Sequence, residues 1–452
     1  MAIKISDHFT YGRLIRYTGP VAAMMVFTSI YGIVDGLFVS NFVSLESFAA
    51  INLIYPFVTM VASLAFMFGT GGTALVSKTL GEGDPKRANG YFSMLVYVTF
   101  VIGVISAVIV FLGVRPVGAL MGASGSLLDE CVTYGGILSL SLPFLMLQTS
   151  FQSYLSAAGK PKVGLVVEVV AGVANIALDA LFIIVFGWGL AGAAIATAVS
   201  EVLGGVLPLL FFIGKRADTL RLGRALWDFK ALGKAAFNGS SELVSNLSMS
   251  LVGMLYNYQL MAYLGSDGVA AYGVIQYLMW IFMAVFMGYS VGVSPLISYQ
   301  FGAQNKAELS NLLRKSLVII GCLSVLQTVL ALLFGRPICM LFISYDQDVI
   351  ELTLHALSIY SFVFLLVGFS IFGSSFFTAL NNGLVSALIS FLRTLLFETA
   401  CIMILPTFFG EMGIWSAMLV AECLSVVITA AFMIGLRETY GYRLSASAPQ
   451  KG

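Results

Sequence analysis

Seven ionisable side chains stand inside long apolar stretches of this 452-residue chain: Asp35, Asp179, Glu201, Glu242, Arg393, Glu398 and Glu422. A charge at the centre of a bilayer costs about 2.5–3.5 kcal/mol on insertion scales, so each needs a reason to be there. Counted at 1.5 Å per residue from the ends of their spans, Asp35 and Asp179 lie about 9 Å and about 10 Å below the same membrane boundary. Asn175 is one turn deeper on the face of Asp179, and Thr197 of the next span is about 12 Å down. Two carboxylates, an amide and a hydroxyl in one layer are hard oxygen ligands that suit Na⁺. Two close carboxylates suit a proton equally well, because like charges in a dry site do not both stay ionised. The competing reading is a pair of structural acids bonded to backbone or hydroxyl groups.

The elements that must position these groups are membrane spans. Hydrophobic residues make up 59% of the chain and charged residues 10%, far from the balance of a soluble domain. A spanning helix needs about 20 mostly apolar residues. Twelve such spans are centred near residues 29, 63, 102, 146, 175, 202, 248, 284, 323, 365, 397 and 424. The apolar runs are continuous, without the period-2 alternation of a barrel. The fold class is therefore an all-α membrane protein.

Residues 45–96 and 266–317 are one segment written twice, 221 positions apart, with Gly71 on Gly292 and Gly81 on Gly302. The register resumes where 189–201 meets 410–422. The twelve spans thus divide into two pseudo-symmetric six-helix lobes, the arrangement of transporters whose pathway runs between repeats. The N-lobe covers 1–213, a linker 214–236, the C-lobe 237–440, and a small polar tail 441–452 reads as disordered. Leu, Trp and Phe among the linker's Lys and Arg predict an amphipathic helix in the headgroup layer. Twenty of the 23 Lys and Arg fall on one side of the twelve spans, which places that side and both termini in the cytoplasm of a cell (inner) membrane protein.

The repeat also sorts the acids. Asp35 maps onto Tyr256 and Asp179 near Ala400 or Cys401, so the paired acids belong to the first half alone, whereas Glu201 and Glu422 match and read as architecture. Glu242 lies about 13 Å into span 7 on a polar face able to line a cavity. With Tyr256, Gln276 and the Met residues 254, 261, 279, 283 and 287 it forms a candidate C-lobe site for a proton or a bulky organic cation, held by ring faces and pliable thioethers. Arg393 and Glu398 are five apart, too far round one helix to pair, and are expected to bond across helices. Cys131, Cys322, Cys339, Cys401 and Cys423 show no metal or redox spacing. His8 and His355 are far apart and read as interface or loop residues. No nucleophile constellation appears, so no enzyme is expected and no cofactor beyond a coupling ion, H⁺ or Na⁺.

Pro20 with Asp35 in span 1, the doubled glycine segments, the loop AAGKPKVG (157–164) and Asn175-x-x-x-Asp179 in span 5 resemble the multidrug and toxic compound extrusion (MATE) transporters, over about residues 10–440. The resemblance implies two lobes around a central cavity and drug export by antiport with H⁺ or Na⁺. It implies an N-lobe cation site at Asp35, Asn175, Asp179 and Thr197, with Pro20 where helix 1 bends. Glu242 resembles the helix-7 acid of some branches, but span 10 has no Asp to complete a C-lobe ion site. The expected cargo is a small organic cation or amphipathic drug, carried by a monomer in the lipid bilayer with no nucleic-acid partner. The nearest alternative is a flippase for lipid-linked saccharides, whose cavity would need basic residues for pyrophosphate. A channel would need charge rings or a carbonyl filter, and neither is present.

Overall fold

The computed structural model describes residues 3–214, 219–342 and 347–443, and among these every regular element is helical. Lys215 and Arg216 of the linker, Asp346, and the tail from 444 onward lie outside the described residues. The first lobe holds α1 (Tyr11–Phe42), α2 (Leu45–Ala62, continued past a turn at Ser63 by Leu64–Gly81), α3 (Pro85–Leu120) and α4 (Gly125–Ala157). It is completed by α5 (Pro161–Asp179, extended by π-helical Ala180–Val185) and α6 (Gly189–Ile213). The second lobe begins with α7 and α8, which share Ser240–Gly302 and are parted only at Gly265, where φ is 63° and ψ −151°. Only glycine adopts that conformation readily. Then come α9 (Lys306–Phe342), α10 (Gln347–Tyr360 and Phe364–Ala379 through the turn Ser361–Val363), α11 (Gly383–Ser390, π-helical Phe391–Phe397, Glu398–Phe409) and α12 (Glu411–Gly435). These are the twelve spans. Among the described residues eleven are long and apolar enough to cross a membrane; the twelfth, α7, is the polar one that carries Glu242. α1 runs unbroken through Pro20.

The doubled motif has a local cause. Asp84 caps α3 by accepting from the Arg87 N–H at 3.0 Å, and its repeat partner Asn305 caps α9 by accepting from the Glu308 N–H at 3.1 Å. The residue before each cap, Gly83 (φ 83°) or Gln304 (φ 54°), is left-handed and reverses the chain out of the preceding helix. The repeat therefore preserves a turn as well as a helix pair.

The lobes meet on the face that carries the first and last described residues, Ile3 and Arg443, and the described Lys- and Arg-rich turns, the basic face. A Cβ at Gly81 would strike the Tyr299 carbonyl and stand 2.8 Å from the Ala303 nitrogen; one at its partner Gly302 would strike the Lys78 carbonyl. Likewise Gly71 lies against the Ala235 carbonyl and the Gly239 nitrogen, and Gly292 against Thr18. Backbone meets backbone at pseudo-symmetric points, α2 on the ends of α7 and α8, and α1 on α8. Ser156 Oγ donates to the Gly292 carbonyl at 3.3 Å and Asn381 Nδ2 to that of Ala74 at 3.5 Å, both across the lobe boundary. The N-terminal segment adds a strap. Ile5 and Phe9 are buried in the core of the second lobe, and His8 Nδ1 meets Glu308 Oε2 at 2.5 Å.

Farther from the basic face a cleft opens. Its floor is lined from both lobes, by Met25, Phe66, Thr70 and Gln152 on one side and Glu242, Met287, Ser290 and Ser375 on the other.

The linker departs from the expected single amphipathic helix. It is irregular over 219–228 because its backbone is held elsewhere: Leu222 N–H donates to the Phe212 carbonyl and Leu226 N–H to that of Gly90, each at 3.0 Å. The Tyr97 hydroxyl donates to the Gly223 carbonyl at 2.9 Å. Helix forms only over Phe229–Asn238, capped by Asp228, whose carboxyl is held below the usual range by the N–H groups of Ala231 and Lys230 and the Tyr91 hydroxyl.

If the glycine contacts hold the basic face shut, Gly302→Val should open it and swing the far rims together. Spin labels at Phe42 and Met412, one on each lobe, should show a shorter distance population in the variant, measured by pulsed electron resonance. An unchanged distribution would remove the glycine contacts from the closing role.

Candidate functional site

The four N-lobe residues singled out in the sequence come together between α1, α5 and α6. Asp179 ends the α-helical part of α5, directly before its π-helical stretch, and is fully buried; Asn175 is one turn back and equally buried. π-helical turns widen a helix by one residue and commonly mark functional positions. Here the turn follows the acid. Asn175 Nδ2 reaches Thr197 Oγ1 of α6 at a long 3.5 Å. Asp35 of α1 faces Asp179, carboxyl to carboxyl, within hydrogen-bonding range. Two ionised carboxylates have no hydrogen to share, so such a pair holds together only through a proton or another cation.

The oxygen inventory makes the same point. Asp35 Oδ1, Asn175 Oδ1 and both Asp179 oxygens are buried without a hydrogen-bond donor. Leaving buried acceptors unmet costs about 1–3 kcal/mol each, more for charged groups. Several such oxygens converging from α1 and α5, with the Thr197 hydroxyl of α6 beside them, have the chemistry of a cation site: carboxylate, amide and hydroxyl oxygens, without sulfur or imidazole. Among the described residues no group of three or more His, Cys, Asp or Glu side chains is placed to hold a metal ion.

The second lobe is built differently at matching positions. Tyr256, the repeat partner of Asp35, is fully buried and stacks on Tyr272 with ring centres 5.1 Å apart and planes 9° apart. A cavity lies in front of that pair, lined by Glu242, Gln276, Met279, Met283, Arg393 and Glu398 among others. Of the three residues proposed for this lobe, Glu242 and Gln276 line the cavity, and Tyr256 sits a layer behind Tyr272. Glu242 also reaches the inter-lobe cleft, so the two spaces share its carboxyl. Met254, Tyr258 and Met261 are exposed on another face and take no part.

Arg393 does not bond Glu398. Its Nε donates to Glu422 Oε1 on α12 at 2.6 Å, and both side chains are almost wholly buried. Glu201, the repeat partner of Glu422, instead accepts from Ser141 Oγ at 2.5 Å. The matched acids thus keep their place and differ in partner, an ion pair in one lobe and a hydroxyl in the other. His8 pairs with Glu308 and His355 lies beside Met412, both outside the cavities. All five Cys are free thiols.

One buried acid escaped the sequence reading. Glu168 of α5 is 1% exposed and accepts from Thr28 Oγ1 at 2.8 Å, Gln148 Nε2 at 3.1 and 3.2 Å, and Gln152 Nε2 at 3.3 Å. Its signal was available, because Glu168, Asn175 and Asp179 are seven and four apart and share one face of a helix.

The family model MatE matches residues 20–181 and 243–403, one stretch in each lobe. The Multidrug export protein MepA of Staphylococcus aureus (strain MSSA476) is 24% identical over 427 residues, which is 94% of this chain and 94% of that protein. A solved structure described as the outward-facing conformation of a multidrug resistance MATE family transporter of the MOP superfamily superposes with a TM-score of 0.90 at 20% identity, covering 95% of this chain and 96% of its own. A MOP superfamily transporter from Pyrococcus furiosus Vc1 (DSM3638), whose description speaks of a binding pocket of reverse polarity, gives 0.91 at 20% identity, over 97% and 98%. At that identity the two structures speak to the fold.

Two stability outcomes follow. Arg393→Ala leaves Glu422 buried without its counter-charge and should cost about 3–5 kcal/mol. Replacing both, Arg393→Met with Glu422→Leu, should recover most of it; thermal unfolding of the purified chain reads both. Asp179→Asn instead brings an N–H₂ donor to an acceptor-rich layer, so its melting temperature should match or exceed that of the unaltered chain.

Proposed function

This chain belongs to the MatE family of membrane transporters, and on that premise we propose that it exports organic cations or amphipathic drugs in exchange for H⁺ or Na⁺. The observation that carries the reading is the layer of donorless buried oxygens on Asp35, Asn175 and Asp179, beside Thr197. An ion entering this layer meets acceptor oxygens to which no group of the protein donates. Na⁺ would be held by the oxygens of all four residues; H⁺ would bridge Asp35 and Asp179. The excess of Lys and Arg supports a cytoplasmic basic face. The cleft between the lobes then opens outward, and the coupling layer is the part reached from outside.

In this cycle the ion binds from outside and favours release of cargo, and after the lobes rock, the ion leaves inward and cargo enters. Ion and cargo must each prefer one state, because a ligand indifferent to the two shifts nothing. Cargo is received where the C-lobe cavity joins the cleft. Glu242 and Glu398 supply carboxyl groups, Trp280 and Tyr272 ring faces, and Met279, Met283 and Met287 a pliable wall. The flippase alternative gains no support there, since Arg393 is already neutralised by Glu422 and stands among acids.

Ethidium efflux from drug-sensitive cells tests the proposal. The unaltered chain should pump, Asp35→Asn and Asp179→Asn should lose at least about nine-tenths of the rate, and collapse of one gradient, pH or Na⁺, should stop the pump and so identify the ion. Full efflux by both variants would place coupling elsewhere.

A further inference from the structure

Glu168, like Glu201, is a buried N-lobe acid that the coupling layer does not use, and the surroundings of Glu168 offer hydrogen-bond partners to two protonation states. On α1, Thr28 Oγ1 stands 2.8 Å from Glu168 Oε1 and 3.0 Å from the Met24 carbonyl oxygen. One hydroxyl hydrogen serves only one of them. With Glu168 ionised, Thr28 donates to the carboxylate, and the amides of Gln148 and Gln152 on α4 supply the remaining donors. With Oε1 protonated, Glu168 donates to Thr28 Oγ1 and Thr28 turns its own hydrogen to the Met24 carbonyl. Gln148 and Gln152 still donate to Oε2, at 3.2 and 3.3 Å. Both states keep their hydrogen bonds, and the proton's presence is written into which partner Thr28 holds.

The position suits a link between ion and helix movement. Met24 lies one turn past Pro20, which has no N–H and leaves a carbonyl of α1 without its helical partner. Glu168 shares a face of α5 with Asn175 and Asp179, about 16 Å from Asp179 toward the basic face at 1.5 Å per residue. Tyr31, one turn along α1 from Thr28, packs on Gly172 between those two levels. Gln152 lines the cleft floor and gives Glu168 a polar approach from the cleft. The space for Gln148 comes from Gly204 of α6, where a Cβ would stand 2.5 Å from Gln148 Oε1 and 2.7 Å from its Nε2. Facing Glu168 are Thr28 and Tyr31 from α1, Gln148 and Gln152 from α4, and Gly204 behind Gln148 from α6. The titratable group among them is the Tyr31 hydroxyl, and among the described residues no cationic side chain is paired with Glu168. The repeat places Ile389 at the matching position of the second lobe, so the arrangement is not a shared structural device.

We propose that Glu168 is a second proton-binding site of the N-lobe, on the basic-face side of the Asp35–Asp179 layer, and that its protonation is transmitted to α1 through Thr28. This rests on the reading of a cation-coupled exporter, but its test does not depend on transport.

A hydrophobic carbodiimide reacts with buried carboxyl groups in their protonated form, so the full-length chain is treated with dicyclohexylcarbodiimide over a pH series and the adduct on the Glu168 peptide is quantified by mass spectrometry. The adduct should form at mildly acid pH and fall about tenfold per pH unit above the titration point. Thr28→Val removes a donor to the ionised form and should move that fall to higher pH. Absence of the adduct at every pH, with the Asp35 or Asp179 peptide modified, would overturn the proposal, as would equal modification of Glu168 throughout. Failure of the efflux experiment with a pH-dependent Glu168 adduct would remove the antiport reading and leave the proton site standing.

Discussion

The close approach of the two lobes through glycine on the basic face is the constraint from which the rest of the arrangement follows. Lipid gives apolar helices no hydrophobic reason to associate, so their contact relies on packing at short range and on the hydrogen bonds that short range permits. Gly71, Gly81, Gly292 and Gly302 supply that range at pseudo-symmetric points, and a single methyl at Gly81 or Gly302 would meet a carbonyl oxygen. With the lobes joined there, they part elsewhere, and the cleft between Met25 and Phe66 on one side and Met287 and Ser290 on the other is the consequence. The N-terminal strap, with Phe9 in the core of the opposite lobe and His8 on Glu308, reinforces the same closure.

Within that symmetric frame the chemistry is asymmetric. Asp35 is matched by Tyr256, Gly172 by Arg393 and Glu168 by Ile389, while Glu201 and Glu422 keep their identity but change partners. One lobe holds acids without donors and the other an ion pair beside aromatic rings. Repetition of the frame with divergence of its contents gives the two lobes different chemistry within one shared architecture.

Much of this could be read before any coordinates. The spans follow from length and apolarity, the lobes from the 221-residue offset, and the Asp35, Asn175, Asp179 and Thr197 layer from depth counted along helices, since helical rise converts position into distance. What stayed hidden depended on rotation and on neighbours. Glu168 is not marked by depth; its helix face, shared with Asn175 and Asp179, is what marks it. The partner of Arg393 required knowing that α12 lies beside α11. Tyr256 looked available until Tyr272 was seen to cover it. The linker carries an amphipathic composition, yet its backbone bonds to Phe212 and Gly90 hold 219–228 away from a helix. Side-chain pattern reports which residues favour a surface, and does not report which backbone groups are already engaged.

The coupling claim is tested most directly with purified protein in sealed proteoliposomes, where tetraphenylphosphonium movement is followed under an imposed pH or Na⁺ gradient. The account predicts uphill movement of the organic cation driven by one of the two gradients, and only downhill leakage through Asp35→Asn. Uphill movement through Asp35→Asn at the rate of the unaltered chain would contradict it, as would transport by the unaltered chain that responds to neither gradient.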